Sequence, residues 1–182
     1  MRIVVLASFL FVWGCGSTSY MTKGSWEGEG TLELSTTDRG DSDFESDVLD
    51  VQTFLGMAAT DNLELGPVVG YRDEETGFGS GSDYDAEDFL LAWRGRWNFP
   101  SSERLAPFAE VDLGFGRREA DTTTGTHDST DMLYALGLGL RFIVGQNAAV
   151  VLKGQYLNVD WDREVGGDLD RWALLGGVSL KF

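Results

Sequence analysis

The chain has 182 residues, with 14 Lys and Arg against 30 Asp and Glu, one His, one Cys and a formal net charge of −16. Such acidity argues against nucleic-acid binding, which needs a basic face. The lone Cys and lone His exclude a disulfide framework, a Cys-based zinc site and most His-ligated metal chemistry. Disorder is opposed by 42% hydrophobic residues, including six Trp, and the length fits one domain. Nothing in the composition implies a cofactor.

Residues 1–19 read as an export signal. Arg2 is a positive n-region, Ile3 to Trp13 form a short apolar run, and the small residues Gly14, Cys15, Gly16 and Ser17 follow. The run is too short to span a bilayer as a helix, and cleavage is expected between residues 14 and 19. Val12-Trp13-Gly14-Cys15 resembles the lipobox of bacterial lipoproteins, although Trp13 stands where a small residue is usual. Two outcomes stay open for Cys15: lipidation as the first mature residue, or loss with the signal.

Residues 20–182 carry no helical period and no long apolar run, but period-two alternation recurs eight times. Trp26 to Leu34 comes first, with Glu27, Glu29, Thr31 and Glu33 on the second face. Leu49 to Met57 and Leu63 to Tyr71 follow, with Asp50 and Gln52, then Glu64, on their second faces. In the fourth segment Phe89, Leu91, Trp93, Trp97 and Phe99 oppose Leu90, Ala92, Arg94, Arg96 and Asn98. Leu105 to Gly116 is the fifth, setting Val111, Leu113 and Phe115 against Phe108, Glu110 and Asp112. Met132 to Phe142 turns Arg141 to the second face, Val150 to Tyr156 turns Lys153, and Trp172 to Phe182 turns Arg171 and Lys181.

Strands of this length suit a tilted bilayer crossing. The bulky face places Trp26, Tyr71, Trp97, Phe99, Tyr156 and Trp172 toward strand ends, as an aromatic girdle requires. The second face mixes Gly and Ala with twelve ions: Glu27, Glu29, Glu33, Glu64, Glu110 and Asp112 against Arg94, Arg96, Arg141, Lys153, Arg171 and Lys181. A soluble barrel would bury the apolar face and expose these ions; the expectation is the reverse. The reading is all-β, an eight-stranded antiparallel transmembrane β-barrel. Eight strands leave little lumen, so the ions are expected to form a salt-bridged plug rather than a pore.

Connections alternate in length. Residues 60–62, 100–104 and 145–147 make short turns, and four longer links lie near 36–47, 73–88, 117–131 and 160–170. Short turns on one side and long loops on the other is the outer-membrane pattern, with both termini on the turn side.

On these features the sequence resembles the small outer-membrane β-barrel family, of the OmpA transmembrane-domain and OmpX type. The likeness is carried by LGMAATDNLELGPVVGY (55–71), PFAEVDLGFGR (107–117), ALGLGLRFIVGQNAAVVLKGQY (135–156) and WALLGGVSLKF (172–182). It implies residence in the bacterial outer membrane, among its lipid and lipopolysaccharide, as a monomer. Phe182, with Val178 and Leu180 behind it, looks like the signal read by the barrel-assembly machinery, although the family favours an aromatic at position 180. No peptidoglycan-binding domain follows Phe182, so wall anchoring of the two-domain kind is not expected.

The four long links hold 21 of the 30 acids and 4 of the 14 bases. They read first as a solvated cap. Divalent-cation binding at Asp83-Tyr84-Asp85 or Asp160-Trp161-Asp162, as loose bridging to lipopolysaccharide phosphates, and adhesion to a basic extracellular partner through Phe78, Tyr84 and Trp161 are the alternatives. His127-Asp128-Ser129 resembles the His-x-Ser pair of outer-membrane lipid A deacylases. Thr130 replaces their Asn, no Glu follows within about a dozen residues to orient the His, and the triplet is expected in a loop. The expected role is therefore structural or surface-interactive rather than enzymatic, with a lipid A-modifying enzyme or a narrow channel as runners-up.

Overall fold

Alternation of bulky apolar with small or polar residues suits a strand whose two faces meet unlike surroundings. In the computed structural model, which describes residues 20–39, 44–78, 84–100, 102, 104–122, 125–159 and 169–182, every alternating segment is a strand. These are β1 (Trp26–Arg39), β2 (Phe44–Ala58), β3 (Leu63–Phe78), β4 (Tyr84–Asn98), β5 (Leu105–Thr122), β6 (Gly125–Ile143), β7 (Ala148–Val159) and β8 (Leu169–Lys181). Each strand pairs antiparallel with the next, and β1 pairs with β8, so the sheet closes into an eight-stranded barrel.

The two faces divide as the alternation expects. Trp93, Leu113, Phe115, Leu174 and Val178 point outward and are exposed. Their chain neighbours Arg94, Asp112 and Leu175 point inward and are buried. Among the described residues no helix is long and apolar enough to cross a membrane, and the crossing elements are the strands. Aromatic residues gather at both ends of the outer wall: Trp26, Trp97, Phe142 and Phe182 toward the turns, and Tyr71, Phe89, Tyr134, Tyr156 and Trp172 toward the loops. Tyr156 stacks at a tilt between Tyr134 and Trp172, with ring centroids 6.3 and 5.2 Å away.

The short turns join β2 to β3, β4 to β5 and β6 to β7, at the end where both described termini lie. The first three long links differ from expectation; the fourth, near 160–170, lies outside the described residues except for 169–170. Most residues of the first three continue the ladders: β3 runs on to Phe78, β4 begins at Tyr84, and β5 and β6 pair as far as Thr122 and Gly125. A bilayer crossing takes about 9–11 residues, and β5 and β6 have 18 and 19. The barrel wall therefore rises well past its apolar belt. Gly77, expected at a loop tip, is paired with Glu45 in the β2–β3 ladder, and His127, expected in a loop, is paired with Ala120.

Candidate functional site

The lumen is built from the inward parity upward, and glycine sets its geometry. A Cβ on Gly56 would lie 2.3 Å from Phe54 Cζ, and one on Gly139 would lie 2.3 Å from Phe108 Cζ. The two missing side chains let both rings fold flat against the inner wall. The Arg96 guanidinium sits between them, 4.7 Å from the Phe54 ring and 4.4 Å from the Phe108 ring. Ring faces attract a cation without competing for its donors. Arg96 spends those donors on Glu27 (3.0 Å), Glu29 (2.7 Å) and Glu110 (2.7 Å), and is fully buried.

The other inward ions join this centre. Arg94 binds Asp112 at 2.7 Å and approaches Glu110 at 3.3 Å and Glu29 at 3.6 Å. Lys153 donates to Glu110 at 3.0 Å, and Gln52 and Gln155 bond to each other at 2.8 Å beside it. Arg141 reaches Glu27 at 2.7 Å, Glu64 at 3.0 Å and the Asn98 amide, which in turn donates to Glu64. Nearly every charge is shared among several partners, which a buried ion needs to offset lost hydration. The result is a filled cross-section rather than an open bore.

A second ionic layer lies toward the loop end, and its pattern contains residues the sequence reading left out. Arg171 bridges Glu33 at 3.0 Å and Asp50, which is fully buried. One register row then runs Asp50, Arg72, Asp88, Arg118 across β2 to β5, alternating in sign. Arg118 grips Asp88 with a fork at 2.6 and 2.7 Å, and Arg72 binds Asp88 at 3.1 Å and Glu74 at 2.7 Å. Glu74, Asp88 and Arg118 fall within spans that read from the sequence as external links; they belong to the wall and point inward. Continuing the parity one step past Tyr71, one step before Phe89 and two past Gly116 would have found Arg72, Asp88 and Arg118. Asp50 was already on the inner parity.

Lys181 stands apart from the network. It lies at the turn-end mouth, where its Nζ donates to the Tyr20 carbonyl at 3.0 Å and sits 5.3 Å from the Tyr20 ring centre. Burial pushes the Tyr20 phenol above its ordinary range, so it remains a neutral hydroxyl beside Ser179, 3.4 Å away. Phe182 faces outward and closes the seam through its backbone, its N–H donating to the Trp26 carbonyl at 2.9 Å.

The outer wall at the loop end is acidic in register. Asp73, Glu87, Glu119 and Asp128 form one outward row across β3 to β6, and Asp47, Glu75, Asp85 and Asp121 form the next across β2 to β5. Arg117 stands beneath, 3.9 Å from Glu119 and 3.8 Å from Asp128. Like charges directly opposite on neighbouring strands destabilise a ladder. His127 and Ser129 share the lumen face of β6, opposite Ala120 and Arg118. No group of three or more His, Cys, Asp or Glu is placed to hold a metal ion among the described residues. Cys15, Asp83, Asp160, Trp161 and Asp162 lie outside those residues, as do the side chains of Phe78 and Tyr84.

A lipid-facing exterior around an ion-packed lumen matches what sequence comparison returns: the family described as the outer membrane protein β-barrel domain matches residues 7–182. The chain belongs to that family. This outer-membrane barrel resembles the N-terminal β-barrel domain of Pseudomonas aeruginosa OprF, at 15% identity and TM-score 0.60 over 89% of this chain and all of that one. It also resembles Neisserial surface protein A, at 14% identity and TM-score 0.61 over 92% of this chain and 99% of that one. A third likeness is to Ail of Yersinia pestis in complex with the heparin analogue sucrose octasulfate, at 12% identity and TM-score 0.52 over 89% and 100%. At these identities the likeness is one of fold. No curated protein sequence matches the chain. The bacterial outer membrane is where this protein resides.

Proposed function

We propose that this outer-membrane barrel has a structural and surface-contact role, in which the packed lumen holds the shape and the acidic outer wall meets cationic groups outside the cell. The observation that carries this reading is the register of the two acid rows. Four acids on four successive strands stand side by side above the aromatic belt, and four more stand in the next row. Their mutual repulsion is relieved by a cation brought from outside. A basic segment of an extracellular partner would supply it, and so would divalent ions shared with lipopolysaccharide phosphates. Ail was crystallised with a polyanion; the wall of this chain would repel such a ligand.

In the same reading the chain is monomeric, needs no cofactor, loses an export signal within residues 1–19 and presents Phe182 to the barrel-assembly machinery. It performs no catalysis. His127 and Ser129 face the lumen, beside a buried ion network, and not the lipid that an acyl-chain substrate would occupy. Lipid A from cells with and without the protein should have the same mass profile. A shift abolished by His127→Ala would replace this reading with an enzyme.

Binding of poly-lysine to the protein in lipid nanodiscs is the test. The variant carrying Asp73→Asn, Glu87→Gln, Glu119→Gln and Asp128→Asn should bind several-fold more weakly, with a shallower salt dependence. Equal binding by both proteins at low and high salt removes the acidic wall from the function.

A further inference from the structure

The barrel is closed unevenly. The β1–β8 ladder has six register pairs, Glu27↔Lys181 through Leu32↔Gly176, with the Trp26–Phe182 backbone bonds added at the turn end; toward the loops it stops at Leu32 although both strands continue. By comparison, β6–β7 pairs from Leu133 to Ile143 and β7–β8 from Ala148 to Val159. The short seam is also poor in side chains, since it includes Gly28, Gly30, Gly176 and Gly177. Gly177 is a necessity there: a Cβ on it would lie 2.0 Å from the Gly30 carbonyl oxygen. Glycines bring the strands close but contribute no cross-strand side-chain pairs.

Beneath this seam lies a segment whose role the ion network leaves unexplained. Residues 20–25, just before β1, fold under the turn-end mouth. Met21 is fully buried, in a cluster with Ala58 of β2, Ala106 of β5 and Ala149 of β7, against which Ile143 of β6 packs. Tyr20 reaches β8 twice, through its carbonyl to Lys181 Nζ at 3.0 Å and its hydroxyl to Ser179 at 3.4 Å. Arg141 stands 5.0 Å from its ring centre. Gly24, at φ 86°, makes a left-handed turn available to glycine, and its N–H donates to the Ala58 carbonyl at 2.8 Å. Ala58 N–H returns a bond to Ser25 at 2.9 Å, and Asp61 accepts from Lys23 N–H at 2.8 Å.

We propose that residues 20–25 are a clasp that completes closure of the barrel, tying β8 to β2 across the β1–β8 seam. The segment is continuous with β1, is hydrogen-bonded to the end of β2 and its turn, and is held on the far side of the seam by Lys181 and Ser179. Arg171 makes the matching tie at the loop end, from β8 to Glu33 of β1 and Asp50 of β2. The seam is thus short in backbone pairing and fastened at both ends by side chains. At the turn end β8 is fastened to the segment that leads into β1, so the barrel reaches its final closure only when residues 20–25 fold beneath it.

Amide hydrogen exchange on the refolded protein in detergent micelles tests this. In Tyr20→Ala, the amides of Trp26, Leu180 and Phe182, which point across the β1–β8 seam, should exchange about tenfold faster than in the parent, while the β3–β5 ladders keep their rates. Lys181→Met, which removes the tether and leaves the Tyr20 ring, should produce the same local pattern; it serves as the reading if Tyr20→Ala does not fold. Unchanged seam exchange overturns the proposal. So does a uniform rise across all ladders, which would mean that the segment adds general stability and nothing particular to the seam.

Discussion

Phe108 and Gly139 face each other across the β5–β6 ladder, and the ring covers the space where a Gly139 side chain would stand. This pair is the floor of the ion network, because the Phe108 ring carries Arg96 and Arg141 above it at 4.4 and 5.0 Å. Gly139→Ala puts a carbon 2.3 Å from Phe108 Cζ, so the ring must lift and displace both guanidinium groups. Overpacking of this kind costs roughly 1–3 kcal/mol. Urea unfolding in micelles should show a lower midpoint for Gly139→Ala. Gly176→Ala, where a Cβ meets nothing within 4 Å, should leave the midpoint nearly unchanged.

Arg96 is the most heavily shared cation, and its loss leaves Glu27, Glu29 and Glu110 facing one another without their common partner. Arg96→Met should cost about 3–5 kcal/mol, the penalty for breaking a buried pair by removing one member. Adding Glu29→Gln should recover part of it, giving a coupling that independent sites would not show. A double-mutant cycle in urea measures this directly. Strict additivity would mean that the two groups do not share the energy their 2.7 Å contact implies.

How the lumen is filled bears on transport. Arg94, Arg96, Glu110 and Asp112 interlock across its middle, and two aromatic rings flank them. In planar bilayers the parent protein should give a closed trace. Arg94→Gln combined with Glu110→Gln should give brief openings, because the interlock then loses a charge of each sign. Sustained conductance in the parent would restore the narrow-channel reading.

The sequence carried the strands and the inner ions of the apolar belt plainly, for a physical reason. Inside a bilayer the outward parity must be apolar, so Trp93 beside Arg94 and Trp97 beside Arg96 declare their faces. Past the belt, both faces meet water or ions and the contrast disappears. Arg72 and Glu74 point inward while Asp73 and Glu75 point outward, and nothing in RDEE distinguishes them. That is why the alternation of β3 to β6 fades near the aromatic belt, and why Asp88 and Arg118 read as link residues. Lys181 kept the expected inward parity but sits at the mouth, beyond the reach of the central acids. The clasp had no periodic signal, since Tyr20 and Met21 precede the first strand and act through tertiary contacts alone.

The outer wall faces lipid and the inner face holds charge, and Trp93 tests that division most directly. Trp93 is 58% exposed on the outer wall, and its chain neighbour Arg94 is fully buried. A variant retaining Trp93 as its single tryptophan, reconstituted into vesicles with lipids brominated near the middle of the acyl chain, should have its fluorescence strongly quenched and should ignore aqueous iodide. Quenching by iodide with no effect of the brominated lipid would mean that this face meets water, and the inside-out barrel described above would be wrong.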